Sequence, residues 1–102
     1  MSAREPVIRQ RLQAIGLESF PDDTDVTWRL LGIVDAGAFS IVEAAPEPDT
    51  VGYPRFRFVL DFPSPDAPRV VGCYCWERRG RWGLLFTDPG APEDWKRLGP
   101  GA

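Results

Sequence analysis

Between Arg55 and Phe62 the chain reads Arg-Phe-Arg-Phe-Val-Leu-Asp-Phe. Large apolar side chains occupy 56, 58, 60 and 62, while Arg55, Arg57 and Asp61 fall between them and Val59 alone breaks the rule. Successive side chains of a strand point to opposite faces, so this is a strand with one buried aromatic face and one polar face. Such a strand belongs to an antiparallel sheet covered mainly on one side. It also sets the phase against which the neighbouring strands are read.

Upstream, Ser2-Ala-Arg-Glu5 has the form of a capping box, with Pro6 in the first turn. Ile8, Leu12 and Ile15 follow at helical spacing with Val7 beside them, and Gly16 is the expected left-handed stop, so the spacing predicts a helix over about 4–15. The acids Asp22, Asp23 and Asp25 lie in a turn. They do not make an EF-hand loop, because no glycine and no closing glutamate follow at the required spacing.

Five strands are predicted, over about 26–35, 38–45, 54–62, 69–77 and 81–87. Strict alternation places Trp28, Leu30 and Val34 on one face of the first, with Arg29, Leu31 and Ile33 on the other. It turns Phe39 and Ile41 of the second inward, and Trp82, Leu84 and Phe86 of the fifth. On the fourth it separates Val70, Tyr74 and Trp76 from Val71, Cys73 and Cys75. Asp35-Ala36-Gly37 and Arg78-Arg79-Gly80 are the expected hairpin turns, and Pro46–Pro54 is the longest irregular stretch. Pro63–Pro68 is expected to stay outside any ladder, since proline lacks the N–H. Glu93–Leu98 is expected to form one helical turn, and residues 99–102 to fray.

A helix followed by five strands, with no βαβ alternation and no internal repeat, defines an α+β fold. The expected architecture is an N-terminal helix packed against a curved five-stranded antiparallel meander, in one domain spanning 1–102. In outline it resembles the cystatin-like arrangement, and a small open barrel is the other solution. The resemblance is one of topology, carried by no motif, and implies no activity.

The chain has no histidine. That removes Ser-His-Asp and Cys-His catalysis and most zinc and iron sites. No catalytic residue, metal site or cofactor is expected. The net charge of −3 supplies no field to draw in nucleic acid or anionic lipid. Of the twelve basic residues only Lys96 is lysine, a bias that reads as GC-rich coding, and the arginines are scattered among acids. No apolar run approaches the ~20 residues needed to span a membrane, and Met1–Pro6 lacks the apolar core of a signal peptide. A bacterial-type cytoplasm is the expected location. Cys73 and Cys75 agree with it: two apart on a strand, their Cβ atoms lie about 6.5–7 Å apart, against the ~3.8 Å a disulfide prefers. Gly80-Arg81-Trp82-Gly83 sits in a hairpin rather than between a strand and a helix, so it is not a phosphate loop. Interleaved arginines and aromatics are read as lying on opposite faces, which favours core over a nucleic-acid stacking platform.

The remaining signal is the face opposite Phe56 and Phe58. Alternation leaves there Leu31, Ile33, Val59, Val71, Cys73, Cys75 and Leu85, mixed with Arg29, Arg55, Arg57, Asp61 and Glu77. An apolar patch rimmed by charge is the composition of a contact surface. Either a partner covers it, or the sheet's curl and the C-terminal segment with Trp95 and Leu98 do. The expected function is a non-catalytic interaction domain, an adaptor, assembly factor or inhibitor, binding a protein partner or a second copy through Leu31, Ile33, Arg55, Arg57, Val59, Val71 and Leu85. The alternative is a small-molecule-binding domain or weak enzyme, with a pocket between helix and sheet lined by Tyr53, Asp61 and Trp76.

Overall fold

The computed structural model describes residues 4–19, 27–47, 55–77, 80–91 and 94–99, with the side chains of 14–19 and of Phe86 excepted. The expectations for Ser2, Asp22–Asp25, Val26, Tyr53, Arg78–Arg79 and residues 100–102 lie outside the described residues, as do those for the side chains of Ile15 and Phe86. Helix α1 spans Glu5–Ser19, and strands β1 (Thr27–Ala36), β2 (Phe39–Glu47), β3 (Phe56–Ser64), β4 (Ala67–Glu77) and β5 (Arg81–Thr87) follow. A 3-10 turn, Asp94–Leu98, closes the order. The strands form one antiparallel sheet in sequence order, β1-β2-β3-β4-β5, which does not close on itself.

α1 runs through Gly16 to Ser19, so glycine does not stop it. A glycine in a helix costs only about 1 kcal/mol against alanine. Ile8 and Leu12, one turn apart, are buried against the sheet. Arg4, just before the helix, ties it down: it donates to Ser40 Oγ at 3.0 Å and to the carbonyls of Phe39 and Gly37.

The segment 63–68 is part of the β3–β4 hairpin rather than a separate connection: Pro63 lies within β3 and Pro68 within β4, while Pro65 is in the turn between them. Ser64 pairs with Ala67 across a two-residue turn, leaving Pro63 and Pro68 beside that turn, in the stretch where the register shifts between Asp61 and Ser64. A missing N–H costs little where the ladder is already irregular. The β1–β2 turn is equally short, with Gly37 at a φ of 64° that only glycine adopts freely.

Besides the shift beside Pro63, strict alternation fails among the described residues at three single-residue bulges. Leu31 is the extra residue on β1, between the pairs Leu30–Ala44 and Gly32–Glu43. Val71 is extra on β4, between Val59–Gly72 and Leu60–Val70. Leu85 is extra on β5, between Cys73–Phe86 and Tyr74–Leu84. Each bulge shifts the phase by one residue and adds twist. The helix-facing core therefore comprises Ile8, Leu12, Val42, Ala44, Phe56, Phe58, Leu60, Cys73 and Cys75, flanked by Trp28, Leu30, Ile33, Phe62 and Val70. Trp28 sets its edge against Phe56 and Phe58 at 5.2 and 5.1 Å. Several phase expectations are corrected, by these bulges and, on β2, which carries none, by the register that pairs Ile41 with Val59 and Val42 with Phe58. Ile33, Cys73 and Cys75 face the helix, and Val34 is exposed. Phe39, Ile41 and Trp82 pack on the other face.

Candidate functional site

The second face carries its own small core. Ile41, Val59, Val71, Tyr74 and Ala91 gather around Trp95, with Phe39, Trp82 and Leu98 at its margin. The 3-10 turn lays the Trp95 indole on Gly72, where a Cβ would lie 2.2 Å from the ring. Val59 and Val71 are both 0% exposed. The chain's own C-terminal segment thus covers this half of the face, and the expected exposure of Val59 and Val71 is corrected.

The other half holds a strip of arginine and tryptophan. Register places Glu43 of β2 opposite Arg57 of β3. Glu43 accepts from Arg57 Nε at 2.8 Å and from Arg55 Nε at 2.9 Å, and Arg55 Nη2 donates to the same oxygen as Arg55 Nε. The side chains of Arg57 and Glu43 are only 14% and 15% exposed. Burial alone raises the Glu43 pKa, but hydrogen bonds and charge from the two guanidinium groups outweigh it and hold the carboxyl below its ordinary range. Trp76 of β4 and Trp82 of β5 are directly paired, with ring centroids 5.2 Å apart. The Arg57 guanidinium lies 4.3 Å from the Trp82 ring centre, and Arg55 lies 5.9 and 5.8 Å from Trp76 and Trp82. Arginines and rings therefore share one face. The Val71 bulge is the cause, because it moves Trp76 onto the side of Arg55 and Arg57.

Leu84 extends the strip. It pairs with Tyr74, so it projects on the same face, and it is 53% exposed. Sequence reasoning missed Glu43, Trp82 and Leu84 as site residues. One available signal was hairpin symmetry: Trp76 and Trp82 flank the Arg78–Gly80 turn equally and had to face each other.

The seven residues expected to form one patch do not. Arg55 and Arg57 belong to the strip; Val59 and Val71 lie under Trp95; Ile33 packs beneath the helix. Leu31 and Leu85 are exposed, but on strands at opposite ends of the sheet. Of the alternative set, Trp76 is in the strip, and Asp61 pairs with Arg69 at 2.8 Å. Asp61 lies six residues along β3 from Arg55, which bonds Trp76, a separation of about 20 Å. The space between α1 and the sheet is filled by side chains. An open groove of about 290 Å³ lies instead between α1 and the β3–β4 turn, lined by Val7, Gln10, Arg11, Asp66, Ala67 and Pro68.

Cys73 and Cys75 are free and buried, and burial raises both thiol pKa values, which disfavours the reactive thiolate. Among the described residues no cluster of three or more His, Cys, Asp or Glu gathers to hold a metal, and no helix is long and apolar enough to cross a membrane. No protein-family model, curated protein or solved structure matches the chain.

Proposed function

We propose that this chain is a protein-interaction domain that works by contact rather than by chemistry, through the β5 side of its second sheet face. The observation that carries the reading is the contrast between the two halves of that face. Trp95 seals one half, whereas the other carries the part-buried Trp76 and Trp82, the latter at the Trp95 margin, with the exposed Arg55 and Leu84. Tryptophan and arginine are the residues in which binding energy concentrates at interfaces. The arginines here are held in place by Glu43, so little side-chain entropy remains to be lost on docking. A cytoplasmic location is part of the reading, supported by two free thiols.

The test uses the tagged chain in cells that naturally express it. A polypeptide, a second copy included, should be retained in stoichiometric amount by the wild type and by Val34→Glu, and lost with Leu84→Glu. Val34 is as exposed as Leu84 but lies on β1. Equal capture by all three proteins overturns the reading, as does capture of nothing by any of them when the chain also stays monomeric at about 1 mM.

A further inference from the structure

β5 is an end strand of the sheet, seven residues long, or about 24 Å. An end strand presents a row of outward N–H and C=O groups, and their complement is another extended backbone. The two ends of this sheet are guarded differently. β1 carries the exposed charges Arg29 and Asp35, and Arg29 pairs with Glu47 at 3.3 Å. Between Arg81 and Asp88, β5 carries no charge, and Leu84 and Leu85 there are 53% and 44% exposed. Charged side chains are a principal means by which edges are kept from pairing, and β5 lacks them along its interior.

We infer that β5 pairs antiparallel with β5 of a second copy of this chain, about a two-fold axis at Leu84, joining the two sheets into one. This rests on the strip being a contact surface and names its occupant. A strand edge is self-complementary under a two-fold axis, since each row of donors meets the same row of acceptors. Leu84 is the midpoint of Arg81–Thr87. With the axis there, the exposed Arg81, whose Nε donates to Glu77 at 3.1 Å, comes beside Thr87 and Asp88 of the partner subunit, and symmetry repeats this match of opposite charges. Leu84 projects on the second face, so the Trp82–Leu84 rows of the two copies become neighbours. The Leu85 bulge keeps the ladder short, so the dimer is weak, with a Kd on the order of 100 μM.

Sedimentation equilibrium on the full chain tests this at concentrations up to roughly 1 mM. The wild type should rise from the monomer mass of 11.4 kDa toward twice that value. Leu84→Lys and Leu84→Glu each set two like-charged side chains directly opposite one another across the axis, with Cβ atoms about 5 Å apart, and should weaken dimerisation at least ~10-fold. An equimolar mixture of the two variants should dimerise again. Val34→Lys should dimerise as the wild type does. Near-UV circular dichroism matching the wild type shows that each variant is folded. A wild type that stays monomeric, a Leu84→Lys dimer of undiminished strength, a mixture that fails to recover, or equal weakening by Val34→Lys each overturns the pairing. A monomeric wild type that still captures a different protein through Leu84 leaves the contact reading standing and refutes self-pairing alone.

Discussion

Replacing Gly72 by alanine probes the cover on the second face. The added Cβ would lie 2.2 Å from Trp95 Cη2 and 2.7 Å from Cζ2 and Cζ3. Carbon atoms settle near 3.5–4.0 Å, so the indole must withdraw by roughly 1.5 Å. It is hemmed in by Ile41, Val59, Val71 and Tyr74, and overpacking of this kind costs about 1–3 kcal/mol. The ceiling is complete loss of the Trp95 contacts, about 3–5 kcal/mol, because beyond that the 3-10 turn lifts off instead. A cost of about 2–3 kcal/mol is expected. Gly72 has no positive φ, so in a Trp95→Ala background nothing opposes the methyl group. There the same substitution should be neutral or gain about 0.5–1 kcal/mol, since glycine is a poor strand residue. The coupling across the cycle is then about 2–4 kcal/mol. Urea unfolding of the four proteins, followed by far-UV circular dichroism, measures it. A coupling below about 0.5 kcal/mol would show that Trp95 does not sit on Gly72.

Phe58→Ala should cost about 3–5 kcal/mol in the same assay, since the ring is buried between Trp28 and Phe56. Arg57→Ala should cost less, about 1–2 kcal/mol, from the lost Trp82 stacking and Glu43 hydrogen bond; equal costs for the two would refute the assignment of faces. Glu43 ionises in the folded chain below its ordinary value of 4.5, so its contribution is present above pH 4.5 and is lost as pH falls through the lowered folded value. Glu43→Gln removes that titration and should flatten the loss of stability in acid; an unchanged acid limb in pH-dependent urea melts would refute the pairing with Arg55 and Arg57.

Legibility differed between the strands. Period two held along β3, where Phe56, Phe58 and Leu60 face the helix while Arg55 and Arg57 face away, because no bulge interrupts the strand before Asp61. It failed on β1, β4 and β5, each of which carries one extra residue opposite a regular neighbour. The errors were not random. Leu31, Val71 and Leu85, three of the residues that made the second face look like a charge-rimmed apolar patch, are the bulged residues themselves. Past each of them the alternation must be counted again from the neighbouring strand. Hence Trp76 joined the arginine face and Cys73 left it.

Element order, the antiparallel meander and the aromatic face of β3 follow from local spacing alone: hydrophobic period, turn residues and short connections. The sequence also named Trp95 and Leu98 as one of the covers available for the second face. Tertiary structure decided where that cover lies and where it stops. A bulge depends on register between two strands, and the seat of Trp95 on Gly72 joins residues more than twenty positions apart. Neither leaves a periodic signal in one strand, so the division of the second face into a sealed half and an open arginine–tryptophan half exists only once the strands are paired.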